Sequence, residues 1–229
     1  MKHYPIILLD ADGTLFDFDR AEERALGQVF AWGSIPDTPA NRERYIVINK
    51  SMWAAFERGE ITKSQLQARR FAQLLEELEL PGDGQAYNDK YLDYLSQGTD
   101  LIPGALEVCE KLSRISRLAI VTNGISRVQH GRMDLSPIKK YFEHIFVSED
   151  VGFQKPQKEY FDYCLKVMGN PDPADCLMVG DSLSSDMAGG VNASIPTCWY
   201  NPGKLPRPEG LELTWEITAL EELLPQENP

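Results

Sequence analysis

The 229-residue sequence lacks the features of several large classes of protein. It is poor in basic residues, since 23 Lys and Arg stand against 35 Asp and Glu, for a formal net charge of −12. Binding to a nucleic-acid polymer is not expected, because basic groups must displace the counterions of a phosphate backbone. The first apolar run, residues 6–9, is too short for a signal peptide or a membrane span. We expect a cytoplasmic protein with no membrane partner.

The sequence also has few residues that bind soft metals. Its four cysteines form no CxxC pair, and its three histidines are scattered along the chain. A zinc site of the usual spacing is therefore not expected, and the cysteines are interpreted as buried thiols without a role. With 42% hydrophobic and 25% charged residues, the composition is that of an ordinary globular protein.

Four short apolar runs are present, and each leads into polar residues suited to phosphoryl chemistry. Runs of this length that are rich in Val, Ile and Leu are typical of buried strands in parallel sheets. The polar residues that follow them are Asp10 and Asp12, then Thr122 and Asn123, then Lys155, and finally Asp181 with Asp186. Residues just beyond the strand ends of a parallel sheet line the ligand crevice, so these side chains should meet in one place.

The carboxylates in this set predict a bound cation. Four of them, from Asp10, Asp12, Asp181 and Asp186, would repel one another unless a cation lay among them. Oxygen ligands favour Mg²⁺, with Mn²⁺ as a substitute. Simpler interpretations stay open, because an Asp-x-Asp at a strand end can form a turn, and Asp186 can stabilise the first turn of a helix.

The order of predicted elements divides the chain into two domains. Residues 20–97 have apolar positions at three- and four-residue spacing and no convincing strand, which predicts helices. After them helices and strands alternate, as in right-handed βαβ units with a parallel sheet. The predicted fold is α/β, with a doubly wound Rossmann-like sheet core of residues 1–15 and 100–229. An α-helical cap domain, residues 16–99, is inserted after the first strand, where it can serve as a lid.

Individual elements follow from the same patterns. Thr62 and Gln65 predict a helix N-cap with a capping box. The predicted strands of the second part are 117–121, 145–148, 176–179 and 196–200, and the predicted helices are 126–135, 158–168, 185–191 and 219–224.

The ordered motifs resemble those of the haloacid dehalogenase superfamily. They are Asp10-Ala11-Asp12-Gly13-Thr14-Leu15, Thr122-Asn123-Gly124, Lys155-Pro156, and Gly180-Asp181-Ser182 with Asp186. Further similarity to the bacterial pyrimidine 5′-nucleotidases of that superfamily covers residues 47–53, 56–62, 67–71, 148–155, 161–163, 169–172 and 197–201. This similarity includes the cap, where substrate choice is made. It implies a small-molecule substrate, a nucleoside 5′-monophosphate, with pyrimidine forms preferred.

The resemblance and the chemistry together imply roles for the two aspartates of the first motif. Asp10 would attack phosphorus and form an aspartyl-phosphate. Asp12 would protonate the leaving oxygen and then take a proton from the hydrolytic water. The metal would be held by carboxylate oxygens of Asp10 and Asp181 and by the backbone carbonyl of Asp12.

The remaining motif residues are predicted to act on the phosphate group. Thr122 and Lys155, helped by backbone N–H groups near Asp12, Gly13 and Asn123, would bind its non-bridging oxygens and stabilise charge in the transition state. Asp186 would lie outside the metal ligands, orienting Lys155 or a metal-bound water. Thr122 could equally be a helix cap, and Lys155 a solvated surface charge.

Three further residues are candidates for contact with the organic part of the substrate. Phe16 follows the first motif, whereas Asn49 and Trp53 lie one turn apart on a predicted cap helix. An aromatic ring and an amide are suited to recognising a nucleobase. Aromatic residues at helical spacing are nevertheless more often part of a core.

Three alternative functions are compatible with the motifs. A phosphatase or phosphomutase for hexose phosphates would use the same catalytic residues. A haloacid dehalogenase would need the nucleophile but neither a metal nor the acid at Asp12. A phosphate-binding domain without turnover would have no reason to keep the complete set.

Overall fold

The computed structural model describes residues 2–207 and 209–225. The chain forms two compact units, Met1–Asp19 with Thr99–Pro229, and Arg20–Gly98. We call them the core unit and the helical unit. The sequence placed the first boundary after residue 15, whereas the core unit extends to Asp19. Backbone bonds explain the difference, because Ile102 N donates to Leu15 O, and Asp17 N donates to Asp100 O.

The core unit is built on a six-stranded sheet in the order β3-β2-β1-β4-β5-β6, and every neighbouring pair is parallel. Its strands are β1 (Ile6–Leu9), β2 (Arg117–Thr122), β3 (His144–Val147), β4 (Cys176–Gly180), β5 (Thr197–Tyr200) and β6 (Trp215–Ile217). The chain passes from β1 to β2 and β3 and then returns to β4 on the other side of β1. The strand order therefore reverses between β1 and β4, where doubly wound sheets bind their ligands.

Helices cover both faces of this sheet. They are α5 (Ala105–Leu112), α6 (Ser126–Leu135), α7 (Ser148–Val151), α8 (Lys158–Val167) and α9 (Ala188–Asn192). Successive strand residues point to opposite faces. Ile120 of β2 accordingly lies in one core cluster with Val108 of α5, and Val121 lies in a second with Tyr160 of α8. The predicted doubly wound α/β core is confirmed.

The helical unit contains α1 (Phe18–Trp32), which begins just before the unit boundary, and α2 (Pro39–Glu57), α3 (Lys63–Glu77) and α4 (Gly84–Leu95). The predicted capping box is present: Gln65 N donates to Thr62 Oγ1, and Thr62 N donates to Gln65 Oε1. Tyr45, Phe71 and Tyr91 pack together, with ring centroids 4.8 to 5.5 Å apart. These rings come from α2, α3 and α4 and pack those three helices against one another.

A buried polar network runs through the same bundle. Glu22 Oε1 accepts hydrogen bonds from Asn49 Nδ2 at 3.0 Å and from the Tyr91 hydroxyl at 3.1 Å. Arg70 donates from Nη1 to Asn49 Oδ1 and from Nε to Asn88 Oδ1. Both ends of the Asn49 amide are therefore bonded inside the helical unit.

Several elements of the core unit differ from the sequence prediction. The predicted helix 185–191 is a π-helical turn, Leu183–Met187, followed by α9, because Met187 N donates to Ser182 O, five residues back. The predicted closing helix 219–224 is a 3₁₀ helix, Leu220–Leu223. Strand β6 was not predicted, because it has only three residues and lies in a segment with many Pro and Gly.

The four cysteines are free and buried, as expected. Burial raises the pKa of the Cys109 thiol to about 12 and that of Cys176 to about 11. Within the described residues, no helix is both long and apolar enough to cross a membrane.

Candidate active site

The predicted site residues of the core unit lie at the carboxyl ends of neighbouring strands. Asp10 follows β1, Thr122 ends β2, and Asp181 follows β4. The backbone locks this arrangement, because Asp10 N donates to Val179 O of β4 at 2.9 Å. Lys155 comes from the loop between α7 and α8, which follow β3 in the chain.

Lys155 is the centre of the site, although its side chain is only 2% exposed. Its ammonium donates to Asp10 Oδ1 at 2.5 Å, to Asp186 Oδ1 at 2.6 Å and to Val121 O at 2.8 Å. Burial alone would lower the pKa of Lys155, but the carboxylates of Asp10 and Asp186 raise it above its ordinary value. The ammonium is therefore charged and fixed by three acceptors.

The carboxylates around Lys155 carry more negative charge than it can neutralise. Oxygens of Asp10, Asp181 and Asp186 lie within 4.8 Å of one another. Burial, reinforced by Asp186 and Asp181, raises the pKa of Asp10 well above its usual range even though Lys155 opposes the shift. Part of the Asp181 side chain is accessible to solvent, but most of its surroundings are protein. This desolvation, together with the charge of Asp186, raises the pKa of Asp181 to about 6. Such crowding is relieved when a divalent cation binds.

The donor set fits a hard cation such as Mg²⁺. Asp186 has both oxygens in use, since Oδ1 accepts from Lys155 and Oδ2 accepts from Ser182 N at 3.1 Å. Asp10 turns Oδ1 toward Lys155, which leaves Oδ2 for a metal. Asp181 Oδ1 accepts a long 3.2 Å bond from Thr14 Oγ1. Asp10 and Asp181 are therefore better placed as ligands than Asp186.

Gly13 brings the first loop close to the same carboxylate. A Cβ at this position would lie 2.7 Å from Asp181 Oδ2, and the φ of +78° is strained for any other residue. The backbone of the preceding residue, Asp12, thus approaches the predicted metal position. The Asp12 carbonyl stays a predicted ligand, which would make the set of protein ligands all oxygen.

The Asp12 carboxylate is held by residues that the sequence did not point to. Arg132 donates from Nη2 to Asp12 Oδ1 at 2.5 Å, and Gln129 donates from Nε2 to Oδ2 at 2.7 Å. Both belong to α6, which follows the Thr122 motif. Their spacing of three residues on a predicted helix was a signal that the two side chains share a face.

The Thr122 motif has two functions in the structure. Thr122 Oγ1 accepts from Gly124 N at 3.0 Å, and its own proton stays available to a phosphate oxygen. The Asn123 amide donates to Lys155 O at 2.8 Å and accepts from Lys155 N at 2.9 Å. The Asn123 side chain thus anchors the backbone of Lys155, and a contact of the Asn123 backbone N–H group with phosphate stays a prediction.

Two of the three predicted substrate contacts are not supported. Phe16 is 0% exposed, and the Arg132 guanidinium covers its ring at 4.4 Å from the centroid. The Asn49 amide is hydrogen-bonded to Glu22 and Arg70, as described above. Trp53 is half-buried, with its ring 5.7 Å from that of Phe56 in a T-shaped pair, and stays a prediction.

A cavity of about 450 Å³ opens beside Asp12 and Asp181 within the core unit. Its walls include Phe18, Trp199 and Tyr200. Trp199 also fixes the metal-side loop, because its Nε1 donates to Asp181 O at 2.9 Å. The volume lies in the range of small-molecule sites.

Comparison with known proteins identifies several relatives over nearly the whole chain. YfnB of Bacillus subtilis (strain 168) is 41% identical over 97% of this chain and 95% of that protein. A crystal structure of YfnB bound to magnesium matches with a TM-score of 0.92 and 40% identity, covering 97% of both chains. The pyrimidine 5′-nucleotidase YjjG of Escherichia coli (strain K12) is 37% identical over 95% of both chains. The pyrimidine 5′-nucleotidase PynA of Streptococcus pneumoniae (strain ATCC BAA-255 / R6) is 34% identical, over 96% of this chain and 94% of PynA.

A family model extends this result to the motifs themselves. The model of haloacid dehalogenase-like hydrolases matches residues 4–194, a range that holds every motif of the site. The resemblance seen in the sequence is thereby confirmed. The chain is an enzyme that belongs to the haloacid dehalogenase-like hydrolase family.

Proposed function

We propose that the protein is a Mg²⁺-dependent phosphomonoesterase that hydrolyses nucleoside 5′-monophosphates, with pyrimidine forms preferred, to a nucleoside and phosphate. The main observation is that Asp10 and Asp12, only two residues apart in the sequence, lie in different surroundings. Asp10 is buried against the Lys155 ammonium, whereas the Asp12 side chain is 28% exposed and bonded to Arg132 and Gln129. Two carboxyl groups in different surroundings can act as nucleophile and as acid and base.

In the first step, a carboxylate oxygen of Asp10 attacks phosphorus, and an O–P bond forms while the bond from phosphorus to the ester oxygen breaks. Asp12 gives its proton to the departing oxygen, so the nucleoside leaves as an alcohol. The Thr122 hydroxyl donates to a non-bridging oxygen, and the positive charge of the Lys155 ammonium, whose three protons are held by Asp10, Asp186 and Val121 O, offsets the charge that grows on these oxygens in the transition state.

In the second step, Asp12 takes a proton from a water molecule as that water attacks phosphorus. The bond from phosphorus to Asp10 breaks, phosphate departs, and the Asp10 carboxylate is restored. Asp12 is then protonated and ready for another turnover. One pair of side chains thus serves both half-reactions.

The metal would be held by Asp10, by Asp181 and by the backbone carbonyl of Asp12. When bound, Mg²⁺ supplies positive charge that offsets the carboxylates and the phosphate group. The protein's own residues arrange the rest of the site. Asp186 aligns the Lys155 ammonium, and Asn123 holds the Lys155 backbone.

The choice of substrate rests on the relatives that include the helical unit. YjjG and PynA are pyrimidine 5′-nucleotidases, and each is aligned with at least 95% of this chain. The alignments therefore cover residues 20–98 as well as the catalytic motifs. This supports a nucleotide over another small phosphate ester.

The test is phosphate release from a panel of nucleoside 5′-monophosphates and sugar phosphates. Each is assayed with Mg²⁺, with Mn²⁺ and with EDTA, and a chloroalkanoate is included to detect halide release. Asp10→Asn serves as the inactive control.

Release from pyrimidine nucleotides that needs the metal would support the proposal. Release from sugar phosphates alone would keep the catalytic residues and overturn the substrate. Halide release, or no release from any compound, would overturn the reaction itself.

A further inference from the structure

We propose that Gln129 and Arg132 are positioning residues that hold the Asp12 carboxylate for proton exchange with the leaving oxygen and with the hydrolytic water. The inference rests on the proposed function, in which Asp12 is the acid and base. Neither residue belongs to the motifs that the sequence pointed to.

The three side chains form a closed set of hydrogen bonds. Gln129 and Arg132 each donate to one oxygen of Asp12, as described above. Gln129 Oε1 in turn accepts from Arg132 Nη2 at 2.7 Å and from Nε at 3.2 Å. Rotation of the Asp12 carboxylate would therefore break bonds to two residues that are themselves joined. A carboxylate held in this way has one preferred orientation.

The Arg132 guanidinium is fixed from a second direction. It lies over the Phe16 ring, 4.4 Å from the centroid, and its side chain is 0% exposed. The backbone of Phe16 pairs with Asp12 through an isolated β-bridge. The loop that carries Asp12 thus supplies both the carboxylate and the aromatic surface that Arg132 contacts.

Stability alone does not account for this arrangement. Among the residues that the structure describes, Arg132 Nη1 is buried and has no hydrogen-bond partner. A buried guanidinium with an unsatisfied donor is costly, and an apolar side chain of similar volume would avoid that cost. A charged side chain at this buried position is explained if Arg132 acts on Asp12.

The neighbouring Thr122 motif leaves room for the Gln129 side chain. A Cβ at Gly124 would overlap Gln129 Nε2, the atom that donates to Asp12. The third residue of the Thr122 motif is therefore adapted to the position of Gln129.

Helix α6 is also anchored to the segment that precedes Lys155. Ser126 N donates to Glu149 Oε2 at 2.7 Å, and Ser126 Oγ donates to Asp150 Oδ1 at 2.8 Å. His130 contacts the other oxygen of Asp150 at 2.8 Å. Helix α6, which carries Gln129 and Arg132, is thus held near its start by α7.

The test compares substrates whose leaving groups differ in their need for a proton. An alkoxide is a poor leaving group and needs protonation, whereas p-nitrophenolate departs with little help. The variants are Arg132→Met, Arg132→Lys and Gln129→Met, and Arg127→Met is the control at an exposed position of the same helix. The value of kcat/KM is measured with a nucleoside 5′-monophosphate and with p-nitrophenyl phosphate, because it reports the first chemical step.

Arg132→Met is expected to lose about 10²-fold or more in kcat/KM with the nucleotide, the scale of general acid catalysis, and much less with p-nitrophenyl phosphate. Arg132→Lys should recover part of the loss, and Gln129→Met should show the same selectivity more weakly. Equal losses with both substrates, or unchanged or faster turnover, would overturn the inference.

Circular dichroism and thermal unfolding establish that each variant is folded. If Arg132→Met does not fold, Arg132→Lys and Gln129→Met carry the same comparison. A wild-type enzyme that releases phosphate from neither substrate would refute the proposed function itself. Activity in the wild type with no selectivity among the variants would refute the positioning role alone.

Discussion

At the scale of single residues, the site depends on how each carboxylate is paired. Asp10, Asp181 and Asp186 lie close together, but Lys155 contacts only Asp10 and Asp186. Asp181 is left facing the position that a cation would take. In the proposed mechanism, this pairing separates three similar side chains into a nucleophile, a metal ligand and a support for Lys155.

Replacement of Asp10 by asparagine tests the nucleophile. The change keeps the volume of the side chain but removes the attacking carboxylate, so phosphate release should fall to a trace while the fold is retained. The assay is phosphate release under saturating Mg²⁺, with circular dichroism as the check of folding. Asp162→Asn, at an exposed position of α8, is the matched control and should keep full activity. More than trace turnover by Asp10→Asn would contradict the covalent mechanism.

Asn49 is expected to affect stability and not substrate selection. Asn49→Ala removes one hydrogen-bond partner of Glu22 and one of Arg70 inside the bundle. Leaving buried polar groups unsatisfied costs about 1 to 3 kcal/mol each, so chemical denaturation should show a loss of that order. The ratio of kcat/KM values among nucleotides should not change in the folded enzyme. A changed ratio with unchanged stability would restore Asn49 as a substrate contact.

At the scale of elements, strand ends and the turns after them fix the catalytic side chains. Gly180 ends β4, and a Cβ there would overlap Asp186 Oδ2. Gly180→Ala should therefore displace Asp186 and loosen the Lys155 ammonium. The expected loss is about 10²-fold in kcat, the scale for removing one electrostatic contact to the transition state. Gly203→Ala, whose Cβ would meet only Leu205 Cγ at 3.9 Å, is the control in steady-state assays.

Most elements could be predicted because their sequences are locally unambiguous. Strand β2 ends at Thr122, within one residue of the prediction, because a run of buried apolar residues leads directly into a polar motif. Helix α6 has the predicted bounds. The segment after Ser182 was less clear, since its π-helical turn arises from bonds back to the Ser182 carbonyl that no propensity scale records.

The candidate site was only partly visible in the sequence. Asp10, Asp12 and Asp181 could be named because each lies within three residues of the end of an apolar run. Gln129 and Arg132 could not, because their partner is more than a hundred residues away in the chain, at Asp12. The position of the Asn123 side chain likewise depends on the fold of the Lys155 loop.

At the scale of the whole molecule, the electrostatics favour binding of a cation by the folded state. The chain carries a formal net charge of −12, and its site concentrates carboxylates at one edge of the sheet. The unfolded chain does not bring these groups together. A metal that binds here should therefore stabilise the native protein.

Thermal unfolding with and without Mg²⁺ measures this effect. At a Mg²⁺ concentration 100 times the Kd, one site adds about 2.7 kcal/mol to the free energy of unfolding, so Tm should rise. Asp181→Ala should reduce the rise and increase the Mg²⁺ concentration that activity requires. An equal rise in Tm for the wild type and for Asp181→Ala would remove Asp181 from the metal ligands.

The burial of all four thiols also determines how fast the native enzyme reacts with alkylating and oxidising reagents. Cys109, Cys164, Cys176 and Cys198 are all 0% exposed, and burial keeps each thiol in its protonated, unreactive form. A chromogenic disulfide reagent should therefore label the native protein slowly and the denatured protein at once. Rapid labelling of the native state would contradict this expectation. If labelling is slow, its rate in dilute denaturant reports how often the core opens.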